Sequence, residues 1–251
     1  MAAARGIGLR EIGFSDHLPL YFLPPGKELP GYAMSLEELP VYVAAVRELG
    51  ENSSGIRVRL GVEADYVPGL EHELAGLLGA YSFDYVLGSV HFVEGWSFDN
   101  QEEIGGYSKW NIMELYERYF ALLQQAALSG LFDIMAHPDL IKKFGFVPEE
   151  SLMPLYEKTV QVFKQAGVGM EINTAGLRYP IGEIYPAPAF LRLACRGGVH
   201  LTLGSDAHRP GLVGAGFDQV IALLKRFGCD EIALYEDRRR SKLLLVTGGR
   251  Q

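Results

Sequence analysis

Short apolar runs alternate with longer segments of helical periodicity along most of this chain. The apolar runs have the length and composition of buried β-strands. They cover residues 10–16, 56–63, 83–90, 131–136, 168–173, 199–205 and 230–236. We predict one strand in each run.

The segments between most of these runs have the spacing of amphipathic helices. Ser35 and Glu38 form the pattern of a capping box, which predicts a helix that begins there and fades near Gly50. Further helices are predicted over residues 108–129, 151–166 and 211–227, and each of these segments is followed directly by a glycine. Strands that alternate with helices predict an α/β fold around a parallel sheet, open or closed into a barrel.

Composition narrows the class of protein. A chain of 251 residues with 48% hydrophobic residues is long enough for one large α/β domain, and a single domain over residues 1–251 is the simplest interpretation. The net charge of −8 argues against nucleic acid as the main partner. No apolar run is long enough to predict a membrane span. Cys195 and Cys229 have no metal or redox spacing, so we expect reduced thiols and a cytoplasmic protein.

Four of the six histidines share one kind of position, at or just after the end of a predicted strand. They are His17, His91, His137 and His208. Two carboxylates, Glu63 and Asp206, have the same placement. Because the C-terminal ends of parallel barrel strands open at one face, these side chains are expected to meet there. His72, on a predicted helix, and His200, at the start of a strand, are expected to lie outside this cluster.

The shared position favours a metal centre. A single histidine at a strand end is more often a structural or surface residue, but four at equivalent positions are hard to attribute to chance. Imidazole and carboxylate without thiolate suit Zn, Mn or Fe better than Mg or Ca. Glu63 has two carboxylate oxygens and can bridge two ions, an arrangement that activates a water molecule for attack.

The motifs GFSDH, GVEADY, GSVHF, AHPDLIKKFG, EINTAGLR and GSDAHRP, in this order, resemble the PHP (polymerase and histidinol phosphatase) superfamily. From about Gly6 to Glu236 the chain is similar to its histidinol-phosphate phosphatase branch. The resemblance implies a distorted (β/α)7 barrel with a trinuclear metal site and a small-molecule phosphate ester as substrate. In this branch the substrate is histidinol phosphate, and the pathway is histidine biosynthesis.

The resemblance also implies the roles of the strand-end residues. Glu63 would bridge two metal ions, and His91 and His137 would complete one of the two sites. Asp206 would bind the other bridged ion and is a candidate to pass a proton to the leaving group. Glu63 and Asp206 are therefore the predicted catalytic residues.

Further residues are assigned in the same way. His17 and His208 would serve the third ion. Arg178 and Arg209 are predicted phosphate ligands, because a guanidinium can bind phosphate oxygens in a bidentate manner. The adjacent lysines at 142–143 are expected to be solvated.

One departure from the family pattern affects the expected activity. The family begins with a strand that carries His-x-His, and this sequence contains no His-x-His. The resemblance therefore predicts a barrel without its first strand, and a chain that binds fewer than the full set of two to three divalent ions and is weakly active or inactive. Two alternatives stay open, namely a PHP phosphoesterase of another specificity and a non-catalytic PHP domain that serves as a scaffold.

Overall fold

The computed structural model describes residues 1–24 and 31–245. The strands of the described chain are β1 Glu11–Phe14, β2 Arg57–Asp65, β3 Tyr85–Ser89, β4 Phe92–Val93, β5 Trp96–Ser97, β6 Ile134–Met135, β7 Gly169–Asn173, β8 Leu201–Gly204, β9 Glu231–Glu236 and β10 Arg239–Leu244. Its α-helices are α1 Ala2–Gly6, α2 Glu38–Glu51, α3 Glu71–Gly79, α4 Ile112–Leu128, α5 Met153–Ala166, α6 Pro188–Gly197 and α7 Phe217–Phe227.

A six-stranded sheet organises the described chain. Its order is β1–β2–β3–β6–β7–β8, and every neighbouring pair is parallel. Each of these strands is connected to the next by a crossover, so the six C-terminal ends lie along one edge. The sheet curls into a half-barrel, which confirms the predicted parallel α/β architecture. Within the described residues, β1 and β8 form its two edges.

The last predicted strand has a different partner from the one expected. Residues 230–236 do contain a strand, β9, but β9 pairs antiparallel with β10 and not with β8. β10 could not be predicted, because all of its residues are exposed and no apolar face is present to produce a period of two. β4 and β5 form a second, smaller antiparallel hairpin directly after β3.

Local hydrogen bonds and glycines decide where the helices begin. The predicted capping box is present, with Ser35 N donating to Glu38 Oε2 at 2.7 Å and Glu38 N donating to Ser35 Oγ at 3.2 Å. The α4 helix begins later than predicted, because Asn111 Oδ1 accepts a hydrogen bond from Glu114 N at 3.1 Å and so caps it. The α7 helix also begins late, since Gly216 has a φ of +81° that a helix cannot include. The α6 helix was not predicted.

The helices cover the outer face of the sheet with aromatic side chains. Phe120 of α4, Phe163 of α5 and Phe190 of α6 are fully buried, and the rings of Tyr156 and Phe190 stack with centroids 4.6 Å apart. This packing fixes the parallel strands from one side and thereby fixes the positions of their C-terminal ends. No helix of the described chain combines the length and the apolar character that crossing a membrane requires.

The two cysteines were expected to be reduced thiols, but they form a disulfide. Cys195, near the end of α6, and Cys229, just after α7, form a disulfide with their Cα atoms 6.0 Å apart. Both residues shortly precede a strand of the fold, β8 or β9, so packing brings them together across a separation of 34 residues. Sequence spacing alone contains no signal for such a long-range pair.

Candidate metal centre

Strand β2 provides two carboxylates on one face of the sheet. Glu63 and Asp65 are two residues apart, and alternate residues of a strand share a face. Their residue exposures are only 8% and 5%. The chain after β1 continues alongside them, because Glu63 N donates to Asp16 O at 3.0 Å and Leu18 N donates to Glu63 O at 2.7 Å. This pairing brings His17 next to Glu63.

Glu63, His91 and His137 form the first cluster of potential metal ligands. His137 Nε2 lies 2.9 Å from Glu63 Oε1, and His91 Nε2 lies 3.6 Å from the same oxygen. The two imidazole rings have centroids 5.0 Å apart. All three residues are buried, and their ligand atoms lie within 4.8 Å of one another. The predicted convergence of these three residues is therefore present in the structure.

A second cluster of potential ligands consists of His17, Asp65 and His91. Asp65 Oδ1 accepts a hydrogen bond from His91 N at 3.1 Å and lies 2.9 Å from His91 Nδ1. The His17 and His91 rings have centroids 5.3 Å apart. His17 thus groups with Asp65 and His91, whereas the family resemblance implied a site shared with His208.

Glu171 of β7 supports the loop that carries His137. Its Oε2 accepts hydrogen bonds from His137 N at 2.9 Å and from Asn173 Nδ2 at 3.1 Å. The backbone of His137 has a positive φ of 27°, a conformation that needs such support. Gly204 on β8 leaves the space that Glu171 occupies, because a Cβ at this position would come 1.7 Å from Glu171 Oε1.

The cluster pairs buried carboxylates with imidazoles, and each shifts the pKa of the other. Burial alone would raise the pKa of Glu63, but the imidazoles of His17, His137 and His91 hold it well below its usual range. Burial would lower the pKa of His91, but Asp65, Asp99 and Glu63 raise it to about 10. Burial raises the pKa of Glu171 to about 7, with a partial offset from His137. Buried carboxylates that depend on neighbouring positive charge are the electrostatic setting of a cation site.

The donor atoms fit metal ions. His17 Nδ1 and His137 Nδ1 are buried and have no hydrogen-bond partner among the described residues. Such atoms are costly unless a ligand satisfies them. Each of the two clusters combines imidazole nitrogen with carboxylate oxygen, a ligand set that suits Zn, Mn or Fe.

The chain after β8 is more exposed than this cluster. Asp206 has a positive φ of 46°. Burial is the main cause of the raised pKa of Glu171, and the charge of Asp206 adds a smaller contribution. His208 Nδ1 lies 3.4 Å from Asp206 Oδ1, and the His208 side chain is 74% exposed. Neither residue belongs to a ligand group of the described chain. Their predicted roles as ligands therefore stay predictions.

The two predicted phosphate-binding arginines differ in their surroundings. Arg178 Nη2 donates to Ser205 O at 2.9 Å and to Asp206 O at 3.0 Å, which fixes its guanidinium next to the end of β8. Arg209 is exposed and lies in the chain that follows Asp206. Both remain predicted phosphate ligands.

The lysines at 142–143 were expected to be solvated, but both are largely buried. Lys142 is 3% exposed, and Lys143 has a side chain that is 13% exposed. Lys143 Nζ donates to Asp99 O at 2.8 Å and lies 3.2 Å from Asp99 Oδ2. Burial would raise the pKa of Asp99, but His91, Lys143 and His137 lower it. Asp99 and Lys143 therefore lie at the border of the metal centre.

Sequence reasoning missed two buried acidic residues of the site, Asp65 and Glu171. Both had a readable signal, since Asp65 shares a strand face with Glu63, and Glu171 is a lone carboxylate in an apolar strand. The two histidines expected outside the cluster do lie outside it. His72 is exposed on α3, and His200 precedes the N-terminal end of β8.

Comparison with known proteins identifies the class and then the family. A parallel α/β half-barrel with buried imidazoles and carboxylates at its strand ends has the architecture of a metal-dependent hydrolase. A family model described as "PHP domain" matches residues 1–175. The chain belongs to the PHP family, in the branch of the histidinol-phosphatases.

Individual relatives support the same placement. A "Probable histidinol-phosphatase" of Deinococcus radiodurans is 40% identical over 227 residues, which cover 90% of this chain and 85% of that protein. The histidinol-phosphatase of Bacillus subtilis is 27% identical over 84% of this chain and 86% of that protein. The crystal structure of a histidinol phosphate phosphatase from Lactococcus lactis, complexed with zinc, L-histidinol and phosphate, matches this fold. The TM-score is 0.80 at 21% identity, over 96% of this chain and 90% of that chain.

Proposed function

We propose that this chain is a metal-dependent phosphomonoesterase that hydrolyses histidinol phosphate to histidinol and phosphate. The observation that carries the proposal is the convergence of Glu63, His91 and His137 in one buried cluster. The 40% identity to a histidinol-phosphatase of Deinococcus radiodurans supports the choice of substrate. The reaction is a step of histidine biosynthesis. The proposal includes a cytoplasmic location on the ground of the soluble substrate alone, because the Cys195–Cys229 disulfide removes the argument from reduced thiols.

Metal binding is assigned to the two clusters at the strand ends. Glu63, His91 and His137 would hold one divalent ion, and His17 and Asp65 would hold a second near His91. Asp206 and His208 are candidates to complete a further site, with two to three ions of Zn, Mn or Fe in all. When bound, such ions lower the pKa of water and neutralise phosphate charge.

The side chains around the clusters have separate tasks in hydrolysis. Asp65 orients the His91 ring through its bond to Nδ1, and Glu171 fixes the backbone of the His137 loop. Arg178, held against the carbonyl oxygens that follow β8, offers its remaining N–H groups to the phosphate, and Arg209 approaches from the solvent side. Asp206 is the candidate to give a proton to the leaving alkoxide, which makes the departing alcohol neutral.

Phosphate release from histidinol phosphate tests this function directly. We expect purified protein to release inorganic phosphate, to lose this activity on dialysis against a chelator, and to regain it when Zn²⁺ or Mn²⁺ is added back. An equal rate before and after complete removal of metal would refute the metal-dependent mechanism. Efficient hydrolysis of other phosphomonoesters without turnover of histidinol phosphate would refute the substrate assignment.

A further inference from the structure

Asp99 is a nearly buried carboxylate at the metal centre that no step above uses. It follows β5, in the segment that starts directly after His91. Its side chain is 12% exposed and contacts Lys143, so it joins the segment that follows His91 to the segment that follows His137. The lowering of its pKa by both imidazoles agrees with this position. It belongs to neither group of potential metal ligands in the described chain. Its place is therefore beside the reacting centre but outside the ligand clusters.

One oxygen of Asp99 is left for a ligand. Oδ2 lies 3.2 Å from Lys143 Nζ, and Lys143 also donates to the Asp99 carbonyl. Oδ1 has only a weak partner in the described chain, the hydroxyl of Ser97 at 3.5 Å. An ionised carboxylate accepts about four hydrogen bonds, so Oδ1 can accept a charged donor without displacing Lys143.

The hydroxyl of Tyr32 marks the same border of the centre. It is buried and has no hydrogen bond of good geometry among the described residues. Burial, Asp65 and Asp99 raise its pKa, and the nearby hydroxyl of Ser97 lowers it in part. The Tyr32 ring lies 5.4 Å from the ring of His17 and 6.0 Å from that of His91. A buried hydroxyl near Asp99 that lacks a well-formed hydrogen bond can donate to a polar ligand there.

The other acidic residues of the centre already have partners. Glu63 and Asp65 contact the imidazoles of the two clusters, and Glu171 accepts two hydrogen bonds that hold the His137 loop. Histidinol phosphate has an ammonium group on the carbon adjacent to the one that bears the phosphate ester. A phosphate bound at the metal centre thus places a positive charge a few ångströms from it.

We propose that Asp99 is a specificity-determining residue that binds the ammonium group of the substrate through Oδ1, with Lys143 fixing its carboxylate. This inference rests on the proposed function. It predicts that the enzyme distinguishes histidinol phosphate from 3-(imidazol-4-yl)propyl phosphate, the same molecule without its amino group. A hydrogen bond between charged groups corresponds to a preference of about 10- to 100-fold in kcat/KM.

The test compares both phosphate esters in wild type, Asp99→Asn, Asp99→Glu and the control Glu94→Gln. Glu94 is an exposed carboxylate of the same β4–β5 hairpin that pairs with Arg118, so the control removes an equal charge outside the centre. We expect the preference for the amino-bearing ester to fall to about threefold or less in Asp99→Asn. It should be partly retained in Asp99→Glu and unchanged in Glu94→Gln.

The possible outcomes distinguish a failure of the Asp99 hypothesis from a failure of the proposed function. A wild-type preference that persists in Asp99→Asn overturns the role of Asp99 and leaves the proposed function intact. An equal loss on both esters in Asp99→Asn also overturns it, because it shows a structural role. Absence of histidinol phosphate turnover by the wild type refutes the proposed function itself.

Discussion

Replacing Lys142 with methionine should strongly destabilise the protein, because it leaves a buried carboxylate without its cation. Lys142 Nζ lies 3.0 Å from Asp139 Oδ2 and 2.6 Å from Glu183 Oε1, and it donates to Ile184 O at 2.9 Å. The side chains of Lys142 and Asp139 are 4% and 1% exposed. Water therefore cannot replace the ammonium group after the substitution.

The size of the effect follows from this burial. Removing one partner of a buried ion pair costs about 3–5 kcal/mol of the free energy of unfolding. For a chain of this length about 1 kcal/mol corresponds to ~2–4 °C, so Lys142→Met should melt roughly 6–20 °C below wild type. Burial already raises the pKa of Asp139, so its protonation relieves the unpaired charge. The loss of unfolding free energy in Lys142→Met, relative to wild type, should therefore be smallest at acidic pH and should grow as the pH rises.

Thermal unfolding followed by circular dichroism measures this effect. The double variant Asp139→Asn/Lys142→Met removes both charges and should recover part of the lost stability. Lys158→Met changes an exposed lysine of α5 and should stay within about 0.5 kcal/mol of wild type. A melting temperature of Lys142→Met within 2 °C of wild type, or a double variant no more stable than the single one, would show that the pair is not the buried unit described.

Two substitutions test the support of the metal ligands. Asp65→Asn removes a carboxylate that would hold the second ion and that contacts His91 Nδ1, so metal affinity measured by competition with a chelator should fall by about 10- to 100-fold or more. Wild-type affinity in this variant would exclude the orienting role. Gly204→Ala places a Cβ where Glu171 lies and should lower both the melting temperature and the affinity for metal, whereas Gly76→Ala on α3 has no atom within 4 Å to meet and should lower neither. Equal behaviour of the two glycine variants would show that Glu171 can move without consequence.

The positions of the main strands and of three candidate ligands were predictable for a simple physical reason. Parallel buried strands are continuous apolar runs, and their C-terminal ends share one edge, so polar residues after them converge. Glu63, His91 and His137 follow this rule, as does His17. This rule does not predict which of these side chains share one metal ion. That grouping depends on strand order and on local backbone geometry, such as the positive φ of His137.

Other features depended on contacts between distant residues. Lys142 is paired with Asp139, three residues earlier, and with Glu183, 41 residues later, and the sequence contains no sign that the distant Glu183 and the Ile184 carbonyl surround its ammonium group. The α6 helix begins at Pro188, the last residue of the segment YPAP, and the two prolines of this segment obscured the helical pattern. The edge strand β10 has no apolar face to predict it. In each case tertiary structure, and not local propensity, determined the outcome.

Metal analysis of Glu63→Gln tests the central claim most directly, because Glu63 is the carboxylate of the first cluster and one of its oxygens lies near both His91 and His137. A neutral amide is a poor metal ligand, so the purified variant should contain at least one ion fewer per chain than wild type and should lose most of its phosphate release from histidinol phosphate. The matched variant Glu73→Gln changes an exposed carboxylate of α3 and should keep the metal content and the phosphate release of the wild type. If Glu63→Gln binds the same number of ions with the same affinity and releases phosphate at the wild-type rate, the assignment of the metal centre is wrong.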